Sequence, residues 1–213
     1  MKFIFEISSR AKLDISAEIK HEKLINFLKS VDAPWGIDKN LSIPFPGFGM
    51  EFTATVVLNK FIGNSIKMSI FYRYRNNLTD DTLSDDRIYI EFNPKKVDYN
   101  YLLTNIFPLF IEHFDAYFAD IFDFPLIYKD YEEKRFGNRR HVINRVYPVS
   151  FYDEKLCNSF FKRKPKEIVR LLEGHVHSAK VFNNGVLIIE DTRPLSMDES
   201  ENFEKKIKLL LKY

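Results

Sequence analysis

The stretch DYNYLLTNIFPLFIEHFDAYFADIF, residues 98–122, decides how this chain is read. Leu102, Ile106, Leu109, Phe110, His113, Tyr117 and Ile121 recur at helical spacing. Leu103, Phe107, Phe114 and Phe118 form a second stripe beside them, and Asn105, Glu112, Asp115 and Asp120 leave only a narrow polar edge. A helix that is apolar over most of its circumference has to be enclosed. The spacing therefore predicts a long aromatic core helix, capped by Asp98, with strands packed on one side. Pro108 removes one backbone hydrogen bond and should bend or divide it near Ile106.

Upstream, Lys2 to Ser8 alternates, with Phe3, Phe5 and Ile7 on one face, and reads as a strand. Ser16 can cap a helix to about Val31, with Ile19, Leu24, Phe27, Leu28 and Val31 inward. The segment from Asp32 to Met50 holds three of the nine prolines and the only tryptophan, Trp35, so it cannot be regular for long. Two strands follow around a Gly63-Asn64 turn, one with Phe52, Ala54, Val56 and Leu58 on a face, the next with Ile66, Met68, Ile70, Tyr72 and Tyr74. Arg87 to Phe92 is a further strand beyond the acidic loop NNLTDDTLSDD.

Downstream, residues 123–140 read as polar and irregular around a short FPLIY piece, and His141 to Tyr152 as extended. A short helix from Asp153 to Phe161 and another from Pro165 to Gly174 come next. Asn183-Asn184-Gly185 marks a hairpin, and a final amphipathic helix starts after Ser196 or Asp198. The order is not strictly alternating, which argues against a doubly wound parallel sheet. The expectation is an α+β protein: a mainly antiparallel sheet packed by helices around the aromatic helix (residues 1–146), with a smaller C-terminal α/β subdomain (147–213) in one compact unit. The C-terminal hairpin could extend the first sheet or make a small second one.

At 213 residues the chain can build a real core. One cysteine, Cys157, excludes an internal disulfide framework and fits a reducing compartment. The opening MKFIFEISSR does not read as a secretory signal, and no apolar run approaches the roughly 20 residues of a membrane span. A cytoplasmic protein is the expectation. The net charge of +2 hides a segregation: residues 76–133 carry 4 basic and 13 acidic side chains, residues 134–180 carry 12 and 4. That pattern is either two solvated faces or a surface for recognition and electrostatic steering.

No constellation of catalytic residues stands out. His175-x-His177 could place two imidazoles on one strand face toward a metal, but further ligands are not evident, and a polar strand face explains the pair as well. Glu112, Asp115 and Asp120 could supply an acid–base pair or simply be the wet edge of a buried helix. Cys157, flanked by Leu156 and Phe160, reads as a packed residue rather than a nucleophile. Phosphate-loop, dinucleotide and zinc patterns are lacking, so no cofactor or metal is expected. KRFGNRRH (134–141) and KRKPK (162–166), with Phe136 and Tyr147, could contact nucleic acid. The balanced total charge argues against that footprint.

The C-terminal third reads YPVSFYDEKLCNSFFKRKPKEIVRLLEGHVHSAKVFNNGVLIIEDTRPLSMDESENFEKKIKLLL, residues 147–211. Its order of a Tyr-Pro entry, a Tyr-Asp-Glu helix start, a Pro-initiated helix, a hairpin and a last helix resembles immunity proteins of bacterial polymorphic-toxin, contact-dependent and type VI secretion systems. The resemblance implies a cytoplasmic protein that binds and neutralises a cognate toxin, without catalysis of its own. Expected contacts are Asp80, Asp81, Asp85 and Asp86, imitating phosphate before a basic toxin cleft, with Tyr72, Tyr74 or Trp35 as aromatic anchors. The rivals are an enzyme with dispersed residues, metal-dependent through His175 and His177, and a nucleic-acid-associated protein using 134–166.

Overall fold

The computed structural model describes residues 1–44, 53–75, 85–135, 140 and 142–213. Its described strands form a single eight-stranded antiparallel sheet in the order β2-β3-β4-β1-β5-β6-β8-β7. The strands are β1 (Phe3–Arg10), β2 (Thr53–Val57), β3 (Ile66–Arg73), β4 (Asp85–Phe92), β5 (Ala116–Asp123), β6 (Val149–Asp153), β7 (Ser178–Phe182) and β8 (Gly185–Ile189). The C-terminal hairpin thus extends the first sheet, through β6, instead of building a second one.

α1 (Ala17–Lys29) is capped as its sequence predicts, Ser16 Oγ accepting from the Ile19 N–H at 3.2 Å. Ile19 itself points to solvent, 62% exposed, and the inward face instead carries Lys20 and His21 beside Leu24, Ile25, Phe27 and Leu28. The expected long core helix over residues 98–122 is not found, the helical run ending at His113. Asp98 caps the helix as expected, accepting from the Tyr101 N–H at 2.9 Å. The helix, α2, is α-helical over Tyr99–Tyr101, π-helical over Leu102–Ile106 and α-helical again over Phe107–His113. Pro108 has no N–H for the carbonyl of Thr104, and the Phe107 N–H reaches back five residues to Leu102. A π turn is thus the local answer to the proline.

Residues 116–122 are not helix. The chain turns through Asp115, whose φ is 52°, and enters β5. β5 is buried on both faces, so its apolar residues lack the strict alternation that marks a half-exposed strand. It therefore blends with the helical pattern before it. The Asp123–Arg140 region, read as irregular, contains α3 (Pro125–Glu132). α4 (Glu154–Ser159), α5 (Pro165–Leu172) and α6 (Met197–Leu211) follow. Asp153 caps α4, and Ser196 with Glu199 forms a reciprocal cap on α6. Asn183 and Asn184 both adopt positive φ, the twist that a two-residue hairpin needs.

Alternation sorts the sheet into two faces. Phe3, Phe5, Ile7, Met68, Ile70, Ile88, Ile90 and Ile121 share one core with α1 and α2. Phe118, Tyr152, Val186 and Ile188 point the other way, into a second core with α4, α5 and α6. Ile4 and Phe122 lie on that second face under Leu126 of α3 and Tyr147. Phe110 is central to the first core, its ring 5.5 Å from Phe5 and 5.2 Å from Phe27. Replacing Phe110 with Ala should destabilise the protein by about 3–5 kcal/mol, through lost burial plus a cavity. Chemical denaturation checks this, and a loss below about 1 kcal/mol would displace Phe110 from the core.

Candidate functional site

The burial of the strands shows which part of the sheet is available. β5, β6 and β8 are buried on both sides almost throughout. β2, β3 and β4 alternate between buried and half-buried or exposed residues. Their buried residues face α1 and α2, and on their other face only Tyr89 packs against the cluster of Ile4, Phe122, Leu126 and Tyr147. Register places the residues of that open face in rows. Thr55, Phe71, Arg87 and Ser8 make one row; Val57, Ser69, Tyr89 and Glu6 make the next; Lys67 stands opposite Glu91. A groove of about 540 Å³ runs over Thr53, Phe71, Arg87 and Tyr89 to Glu6. Glu6 and Arg87 also line a second depression of about 370 Å³ that continues toward Phe122, Tyr131 and Tyr147.

The charges around this face are mostly fixed in place. Glu91 pairs with Lys2 at 2.9 Å. Asp85 accepts from Arg140 Nε at 2.6 Å and from the Tyr117 hydroxyl at 2.7 Å. Glu6 lies directly across β1–β5 from the buried Asp120, and both have partners of their own. Burial first, and then the charges of Glu91 and Glu6, push the Tyr89 hydroxyl up to about 12. It is a hydrogen-bonding phenol at neutral pH, not a base.

Of the four expected acidic contacts, the structure describes Asp85 and Asp86. Asp80 and Asp81 lie outside the described residues. Asp85 and Asp86 belong to β4, not to a loop, and both side chains are buried. Asp86 accepts from Arg75 Nη1 and Nη2 at 2.8 and 2.7 Å, from Lys20 Nζ at 2.9 Å and from the Arg73 N–H at 3.0 Å. Such a carboxylate cannot steer a partner. Trp35 and Tyr72 are also fully buried, Trp35 against Phe92 and Tyr72 beside His21, so neither is an exposed anchor. Tyr74 is half-buried, its hydroxyl donating to the Pro44 carbonyl.

The other candidates disperse. His175 and His177 lie in the exposed turn before β7, not on a strand, and no cluster of three or more His, Cys, Asp or Glu suited to a metal occurs among the described residues. Glu112 and Asp115 are exposed at the end of α2, while Asp120 is inside the sheet. Arg135 and Arg140 of the basic segment are tied to Glu204 and Asp85, and Phe136 and His141 lie outside the described residues. Lys162, Lys164 and Lys166 are exposed. Tyr147 is buried and stacked on Phe122 at 4.2 Å. Sequence reasoning missed Glu6, Arg87 and Tyr89 as a group, since only strand register brings them together.

No helix among the described residues is long and apolar enough to cross a membrane. No protein-family model matches the chain, and no curated protein matches it significantly.

Two measurements test the fixed groups. Burial acts most strongly on Asp86 and would raise its pKa, but the Arg75 hydrogen bonds and the Lys20 charge outweigh it and hold the carboxyl below its ordinary 3.8. A group with a depressed folded pKa contributes stability above its unfolded pKa, lost as pH falls through the folded value. Asp86→Asn should therefore cost about 3–5 kcal/mol at pH 7, leaving two buried cations uncompensated. It should also flatten the loss of stability below pH 3.8, read by denaturation at successive pH values. Cys157 is fully buried, and burial, followed by the Asp153 charge, pushes its thiol up to about 12. Iodoacetamide should leave it unmodified at pH 8 in the folded protein and alkylate it on denaturation.

Proposed function

We propose that this chain is a cytoplasmic immunity protein, which binds a cognate bacterial toxin and blocks it without chemistry of its own. The observation that carries the reading is the open face of β2, β3 and β4. β5, β6 and β8 are sealed on both sides, whereas this face is kept polar, aromatic and accessible. A rigid sheet that leaves one face unoccupied suits recognition of another macromolecule better than enclosure of a small substrate, which prefers a deep and mostly apolar pocket. The order of elements over residues 147–211 supports the same reading by resemblance.

The enzyme reading has one observation in its favour, the juxtaposition of Glu6 and Asp120 across β1–β5 at one end of the groove. Paired carboxylates of this kind serve acid–base chemistry in other settings.

The test is co-expression with the toxin domain of any secreted multidomain protein encoded beside this chain's gene. Wild type should protect the cell and purify with that domain as a complex. Failure to protect, or the lack of such a neighbour, would overturn the reading. Asp120→Asn, inside the sheet, should leave protection intact. Loss of protection with the complex preserved would put the enzyme reading first.

A further inference from the structure

We infer that the open face of β2, β3 and β4 receives an acidic surface of a protein partner, seated over Phe71 and Tyr89 and held by Arg87 and Lys67. The inference rests on the binding role proposed above and assigns its surface and the sign of its charge. That sign is opposite to the one suggested by the acidic run before β4.

Charge complementarity decides the occupant. Two carboxylates on this face are ion-paired, Glu91 with Lys2 and Asp85 with Arg140, and Glu6 is the remaining one. Arg87 and Lys67 are exposed and have no ion-pair partner among the described residues. The charge left over is positive. An unpaired Arg beside half-exposed aromatics is also the composition that dominates protein–protein hot spots.

Register fixes the geometry. Phe71 is directly opposite Arg87, Ser69 opposite Tyr89, and Lys67 opposite Glu91. Arg87 therefore lies four residues along β4 from the position facing Lys67, and one strand across. At about 3.4 Å per residue and 4.8 Å per strand, the two backbones are roughly 14 Å apart. The fitting surface has two carboxylates at about that spacing, with an apolar group between them over the row of Val57 and Tyr89. Val57 is 52% exposed at the outer end of the row.

Single-stranded nucleic acid fits less well, although aromatics on an open sheet can stack bases. Two uncompensated cations are few for a backbone-tracking groove, which needs a line of them.

The experiment uses the full chain, a Lys67→Glu/Arg87→Glu variant and a milder Lys67→Gln/Arg87→Gln variant, with thermal melts to confirm folding. The first probe is a fluorescein-labelled poly-L-glutamate peptide, with oligothymidylate of equal length as competitor. Wild type should bind the peptide in a salt-sensitive way. The Gln variant should weaken it, and the Glu variant should weaken it about tenfold or more. Equal binding by all three proteins, or no binding by wild type, overturns the inference. So does tighter binding of oligothymidylate, which would make the face a nucleic-acid platform. Wild-type dimers in sedimentation that both variants abolish would assign the face to a second copy of this chain instead. In the co-expression assay the Glu variant should lose protection. If it protects as well as wild type, this surface is wrong and the immunity role stands; if wild type does not protect, the role itself fails.

Discussion

The first half of the structure depends on the burial of Asp86. A carboxylate removed from water is costly by several kcal/mol and survives as an ion only when charges and hydrogen bonds replace the solvent. Here the replacements come from separate elements: Lys20 from α1, Arg75 from just beyond β3, and the Arg73 N–H from β3 itself. Lys20 also donates to Ser9 of β1 at 2.6 Å and sits 4.4 Å above the Phe114 ring at the end of α2. Arg75 Nε reaches the Ile15 carbonyl ahead of α1. One ion thereby fixes where α1 crosses the sheet, where β3 ends and where β4 begins. Burial drives the Lys20 amine below its usual range, opposed by Asp86, so the cluster is held by mutual need rather than by surplus stability.

A second cluster does the same work at the other end. Arg145, buried beneath the surface, donates to Asp130 of α3, to Glu204 of α6 and to Glu133 between them. Arg135 shares Glu204 and Glu133, Tyr147 donates to Asp130, and Lys129 pairs with Glu201. These bonds lay α3 and residues 142–147 across β1 and β5, on the face opposite α1 and α2. They seal Ile4 and Phe122 and reach Tyr89 of β4 at the border of the open face. α4, α5 and α6 cover the same face farther along, over β6 and β8. The open area on β2, β3 and β4 is what this offset of helix layers leaves. It follows from where the two ion clusters anchor the helices.

Much of this was legible in the sequence, and the failures have physical reasons. Ser16, Asp98, Asp153 and Ser196 were readable as caps because capping is local. The alternation of β3 and the Asn183-Asn184 turn were readable for the same reason. β5 was not, because a strand buried on both faces has no polar side to alternate with. Asp85 and Asp86 looked like loop residues because two of the three cations that compensate them lie far away in sequence, with Lys20 separated from Asp86 by 66 positions and Arg140 from Asp85 by 55. The open face was invisible for a related cause. Phe71, Arg87, Tyr89 and Glu6 are ordinary strand residues until register sets them side by side.

The same registers limit what such a face can recognise. A loop adapts to a partner at the expense of ordering its own side chains and backbone. A sheet held from behind by a packed core presents its side chains at spacings set by strand geometry, so little order is lost on contact. The aromatic and aliphatic rows then supply the buried area, while the few uncompensated cations choose the partner and hasten encounter more than they tighten the complex. That division also accounts for the internal use of Asp85, which shares the face of Arg87. Exposed there, it would cancel Arg87. Held by Arg140 and the Tyr117 hydroxyl, it leaves that charge uncompensated. Asp86 points to the other face, into the ion cluster under α1. The buried pair of Asp85 and Arg140 therefore helps to give the open surface its sign.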